Sequence, residues 1–177
     1  ILYYKIIIIK GKNLVEYADK TVLIDKQGIL FATPKIPYRY TPQAQEQSGF
    51  FCVFTKEFLS KSKTGLLIDE LPIYQPHSDF VYQLTDKQYL EIELIFRKMD
   101  AELSSDYAFR YDLLRNYVLE LIHTGQKLKP MESTPGTTNA ASRISSLFIE
   151  LLERQFPIEN DAQVIKLKTP IDFAKTL

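Results

Sequence analysis

Two histidines, one cysteine and a Tyr-Arg-Tyr triplet carry most of the chemical capacity of this 177-residue chain. A mononuclear metal centre for oxygenation or isomerisation needs paired imidazoles and a carboxylate projecting from neighbouring elements onto one ion. His77 sits in the loop-like segment QPHSD, His123 falls near the end of a helical pattern where a cation is favoured, and neither belongs to an H-x-H pair. Cys52 lies in the apolar run GFFCVF, with no adjacent positive charge in sequence to stabilise a thiolate. It reads as a buried thiol, not as half of a Cys-His nucleophile pair. The expectation is therefore no catalytic residue, no metal ligand set and no cofactor. Tyr38, Arg39 and Tyr40 read differently. They stand in the proline-rich stretch PKIPYRYTP, where two phenols and a guanidinium can stack on and hydrogen-bond a small ligand such as a sugar. The bland alternative is that these rings only fill a core.

Strands must position that triplet. LYYKIIIIK, NLVEYA, TVLI, ILFAT and GFFCVF are rich in Ile, Val, Tyr and Phe and are separated by GK, DK and DKQG turn signals. Spacing this tight leaves no room for crossover helices, so an antiparallel meander is expected, as in a sandwich or small barrel. The three prolines of TPKIPYRYTP each lack the N–H that a central strand donates, which places this stretch at an edge or rim. In the first strand Tyr4, Ile6 and Ile8 share one side and Lys5, Ile7 and Ile9 the other, so both faces are at least partly covered.

Beyond Thr55 the period changes. Thr85 and Gln88 have the spacing of a capping box and open a helix with Tyr89, Ile92, Phe96, Met99 and Leu103 on one face. A second helix runs from about Asp106 to His123 with Tyr107, Leu114, Tyr117, Val118, Leu121 and Ile122 forming a wide apolar face. The short SSD connection makes the two antiparallel neighbours. Leu114, Tyr117, Val118 and Leu121 form either a dimer seam or packing within one chain.

The segment 125–137, GQKLKPMESTPGT, is the best linker candidate. After it, Ile144, Leu147, Phe148, Leu151, Leu152 and Phe156 repeat at three and four, and Pro157 stops that helix. The last residues, KTPIDFAKTL, start another: Thr169 is a good N-cap, Pro170 suits the first turn, and Asp172 complements the free N–H groups there. No Gly, Asn or Pro ends it, so the sequence reads as cut within a second domain.

The totals exclude several classes. With 22 basic against 22 acidic residues there is no net charge to attract nucleic acid or anionic lipid over a distance. One cysteine permits no internal disulfide and fits a reducing cytoplasm. Purely apolar runs such as 6–9 are far too short to cross a bilayer, so no membrane partner is expected.

Taken in order, YADKTVLID, PKIPYRYTP, EQSGFFCVFTKEFL, SDYAFRYDLLRNYVLELIH, TNAASRISSLFIELLERQFPI and KTPIDFAKTL resemble an AraC-type bacterial transcriptional regulator over nearly the whole chain. The resemblance implies an α+β chain. An N-terminal antiparallel cupin-like β-barrel and an antiparallel helix pair would form a sensor and dimerisation domain over 1–124. A linker at 125–137 would lead to a partial helical DNA-binding domain over 138–177. It implies a cytoplasmic homodimer, a small-molecule effector such as a sugar, and DNA as a partner of the full-length protein. Residues 138–156 resemble the first helix of that domain and 169–177 the first helix of its first helix-turn-helix unit. The reading helix lies beyond Leu177, so this piece is not expected to recognise an operator. Ile1 would enter the barrel after its first strand or strands. The alternatives are a cupin-type enzyme or sugar-binding module, and a structural interaction module.

Overall fold

The computed structural model describes residues 3–17, 20–61, 67–75, 78–128, 134–135, 144, 147–148, 151–152 and 165–176. Their architecture is α+β with antiparallel sheets. Contacts divide the chain into two compact units, Ile1–Tyr17 with Thr21–Thr134 and Ala18–Lys20 with Pro135–Leu177.

The β-branched run YKIIIIK forms β1 (Tyr4–Lys10), followed by β2 (Asn13–Tyr17), β3 (Lys20–Ile24), β4 (Gln27–Ala32), β5 (Tyr38–Pro42), β6 (Ser48–Phe54) and the short β7 (Val81–Gln83). One sheet has the order β6-β1-β4-β7; in the other, β2 lies between β5 and β3. In register, Ile6 faces Cys52 on one side and Phe31 on the other, and Ile7 faces Phe51 and Leu30. Residues opposite one another share a face. Tyr4, Ile6, Ile8, Phe31, Phe50, Cys52 and Phe54 therefore make one face of the first sheet, and Lys5, Ile7, Ile9, Leu30 and Phe51 the other.

Helices cover the first of these faces. Thr55 caps α1 (Lys56–Ser60) by accepting from the Phe58 N–H at 3.2 Å. The capping box at Thr85 and Gln88 forms as the sequence predicts and opens α2 (Asp86–Leu103). Phe96 of α2 stacks on Phe50 at 6.0 Å. The next helix, α3 (Arg110–Gln126), packs against α2 and against β4, where Gly125 meets Phe31.

Several expectations are corrected. The strands do not form a meander, because β1 pairs with β4 and β6 and not with β2. The chain crosses from one sheet to the other at Gly11, whose φ of +127° suits glycine and whose N–H donates to Lys26 O at 2.8 Å. Among the described residues the strands make two sheets and not one closed barrel, with β5 and β6 as edge strands. Gln27 and Gly28, expected in a turn, belong to β4; Gln27 is buried because its amide donates to Leu84 O and to Asp86 Oδ1. α3 starts at Arg110 and runs through Gln126, which makes Gly125 a buried helical residue and not the start of a linker. Leu103 and Tyr107, placed on apolar stripes by periodicity, are exposed at the end of α2 and before α3.

In the second unit, α4 (Pro170–Thr176) carries a reciprocal cap. Thr169 Oγ1 accepts from the Asp172 N–H at 3.3 Å, and Asp172 Oδ2 accepts from Thr169 N–H at 2.9 Å. The Lys168 and Thr169 N–H groups, both donating to Asp172 Oδ2, hold its carboxyl below its ordinary pKa. Phe148 packs on buried Phe173 with centroids 4.7 Å apart, while Ile144, Leu147 and Leu152 remain exposed. Most of the helix expected over 138–156, most of the segment 125–137, and His77 lie outside the described residues.

Candidate functional site

Period-two alternation along β5 puts Tyr38 and Tyr40 on one face and Arg39 on the other. The two phenols look into a cavity of about 460 Å³ between the sheets, with Lys5, Ile7, Ile9 and Phe51 lining the opposite wall. That volume lies in the range of small-molecule pockets. Arg39, paired across from Glu16, is exposed and does not line it. The sequence triplet is thus split, two residues in and one out. Because β5 and β6 are both edge strands, the cavity opens along the side of the sandwich.

The polar groups have definite roles. Tyr40 Oη donates to Gln47 Oε1 at 3.1 Å, and Asn13 Nδ2 donates to the same oxygen at 2.8 Å. The Gln47 amide in turn donates to Lys12 O and Ala44 O, fixing which way it points. Burial raises the pKa of both Tyr38 and Tyr40, so both stay neutral donors at physiological pH. In the core behind the cavity, Phe80 packs against Tyr17 at 3.8 Å and Tyr38 at 6.3 Å, so the Tyr38 ring is held by other aromatic rings.

Lys5 is the residue that inspection of the sequence passed over. Its ammonium sits 4.5 Å from the Phe51 centroid and makes no ion pair among the described residues. A charge inside YKIIIIK, not at the strand's exposed end like Lys10, was the signal available. What the sequence lacked was the knowledge that β5 lies across from it.

A second, larger hollow of about 580 Å³ lies between β6 and the helices, lined by Tyr3, Phe51, Val53, Met99, Leu103 and Tyr111. Like the cavity between the sheets it is mostly apolar. The residues proposed from sequence for a dimer seam lie close to it, but Leu114, Val118 and Leu121 are buried in the chain's own core. Only Tyr117 keeps a half-exposed ring, with Lys98 Nζ 6.0 Å from its centroid.

Burial pushes the Cys52 thiol pKa up to about 12, which keeps it protonated near neutral pH. His123 is exposed on α3, its Nδ1 3.4 Å from the Gln126 amide. Among the described residues no three His, Cys, Asp or Glu side chains are grouped to hold a metal ion. Among them, too, no helix is long and apolar enough to cross a membrane.

No protein-family model matches the chain, and no curated protein matches it.

Proposed function

We propose that this chain is the effector-sensing and dimerisation part of an AraC-type transcriptional regulator, acting in the cytoplasm. The sheets and helices through the end of α3 are read as the sensor, the stretch from there to 137 as a linker, and 138–177 as the opening of a helical DNA-binding domain. The observation that carries the proposal is the cavity between the sheets, with the neutral donors Tyr38 and Tyr40 facing apolar walls.

The strand order supports a cupin-like ancestry for the two sheets. Pairing β2 with β3 and β1 with β4 makes a long hairpin ribbon, and β5 and β6 then fold back onto β2 and β1. Rolling such a ribbon produces a jelly roll, the arrangement on which cupins are built. In this reading α2 and α3 sit on the outer face of the sheet that walls the cavity. A ligand that binds one arrangement of sheets and helices better than another shifts the presentation of attached DNA-binding elements. The shift is limited to its differential affinity. In this reading the DNA-binding elements take DNA as their partner.

Thermal unfolding in the presence of monosaccharides and small organic acids tests the sensor. A ligand at a hundred times its Kd stabilises by about 2.7 kcal/mol, a shift of several degrees in Tm for a chain of this size. At least one compound is expected to produce that shift in the wild type and not in a Tyr38→Ala, Tyr40→Ala double variant. A panel with no stabilising compound, or a double variant that responds undiminished, overturns the reading.

A further inference from the structure

The cavity between the sheets has an uneven chemistry that narrows what it holds. Its walls are apolar or aromatic at Ile7, Ile9, Phe51, Tyr38 and Tyr40, its uncharged polar groups include the two phenols and Gln47, and its one charge is the ammonium of Lys5. Among the described residues no carboxylate lines it. Lys5 projects from β1, a central strand between β4 and β6, so the charge is fixed to a rigid element and does not swing from a loop. Its neighbour is the face of Phe51, a cation–π contact that holds the ammonium but satisfies none of its three N–H donors. A half-buried cation in an acid-free, largely apolar space favours an anion that brings its own apolar body.

Resting on the sensor reading above, we propose that the cavity binds a small ring-bearing carboxylate. The carboxylate lies on the Lys5 ammonium and the Tyr38 hydroxyl, with the Tyr40 ring, whose O–H is given to Gln47, as part of the wall. The ring lies against Phe51, Ile7 and Ile9. A neutral sugar leaves Lys5 without a counter-charge and places hydroxyl groups against the isoleucines. The ring-bearing acid meets both requirements with one molecule.

The test is calorimetric titration of the whole chain with benzoate and indole-3-acetate, each beside its neutral amide, benzamide and indole-3-acetamide. Exchanging carboxylate for amide keeps the ring and removes the charge, and is expected to weaken binding by about tenfold or more. Lys5→Met is expected to weaken the acids by a similar factor and leave the amides unchanged. Lys5→Arg, which keeps the charge, and Lys10→Met, which removes a charge at the exposed end of the same strand, stay close to wild type. If Lys5→Met does not fold, the acid–amide ratio in the wild type and the Lys5→Arg variant decide the matter. Amides that bind as well as the acids overturn the carboxylate assignment while leaving a sensor intact. Absence of binding by all four probes also overturns it, and the wider thermal panel then decides separately whether the sensor reading falls with it.

Discussion

Adding one methyl group at Gly125 tests how closely α3 lies on the first sheet. An alanine Cβ built there stands 2.5 Å from Phe31 Cε2, closer still to Phe31 Cζ, and 2.9 Å from Ile73 Cδ1. Ordinary carbon contacts are about 3.5–4.0 Å. Phe31 cannot step aside, because it is fully buried and held edge-on by Tyr74 at 6.5 Å and Tyr82 at 6.0 Å. Overpacking of this kind costs about 1–3 kcal/mol, while replacing Gly by Ala within a helix returns about 1 kcal/mol. Gly125→Ala should therefore destabilise by about 1 kcal/mol, read as a lower midpoint in urea unfolding with an unchanged slope. In a Phe31→Leu background, where room has been made, the same substitution should become neutral or stabilising. A Gly125→Ala protein that gains the full helix-propensity increment in the wild-type background would refute the close approach of α3 to β4.

Three further outcomes follow from particular side chains. Cys52, with its thiol pKa pushed up to about 12 by burial, should react with a disulfide reagent at pH 8 far more slowly in the native protein than after denaturation; equal rates would show the thiol to be open. Burial opposes the charge of Asp69, but its bonds to Lys56 Nζ at 2.5 Å and from Tyr4 Oη at 2.5 Å outweigh that and lower its pKa. Its contribution is therefore present above the unfolded carboxyl pKa of about 3.9 and is lost as pH falls through the lower folded value. Asp69→Asn should cost about 1–3 kcal/mol near neutrality, through the charged hydrogen bonds, with the gap from wild type closing below about pH 4 in acid unfolding curves. A gap independent of pH would contradict the charge assignment. Thr85→Ala removes the side-chain half of the box that opens α2 and should lower stability by about 1 kcal/mol in urea titrations, whereas Thr85→Ser should change it little.

Features decided within a few residues were legible in the sequence. The box at Thr85 with Gln88 and the N-cap at Thr169 depend only on local spacing, and both form as read; the reciprocal bond from Thr169 N–H to Asp172 was not foreseen. The edge position of β5 followed from its prolines. Strand pairing was not legible, because a short Gly-Lys turn serves equally as a hairpin and as a corner between sheets; only the distant partners of β1 decide between them. Gly125 misled because glycine ends helices when exposed and permits close packing when buried, and burial is a tertiary property. The apolar stripe of Leu114, Val118 and Leu121 was visible, but not which surface would cover it; the chain's own core does. Tyr38, Arg39 and Tyr40 were read as one ligand-facing group, and strand alternation splits it, turning Arg39 outward. The role of Lys5 required the second sheet to be set against the first.

The account depends most on the cavity between the sheets being the place where a small molecule is received, and not the larger hollow beside the helices. Fluorine NMR of the chain carrying 3-fluorotyrosine separates them, because Tyr38 and Tyr40 line the first and Tyr3 and Tyr111 the second. Single Tyr→Phe variants assign the four signals. Titration with a stabilising ligand should move the Tyr38 and Tyr40 resonances and leave those of Tyr3 and Tyr111 in place; movement confined to Tyr3 and Tyr111 would contradict the account.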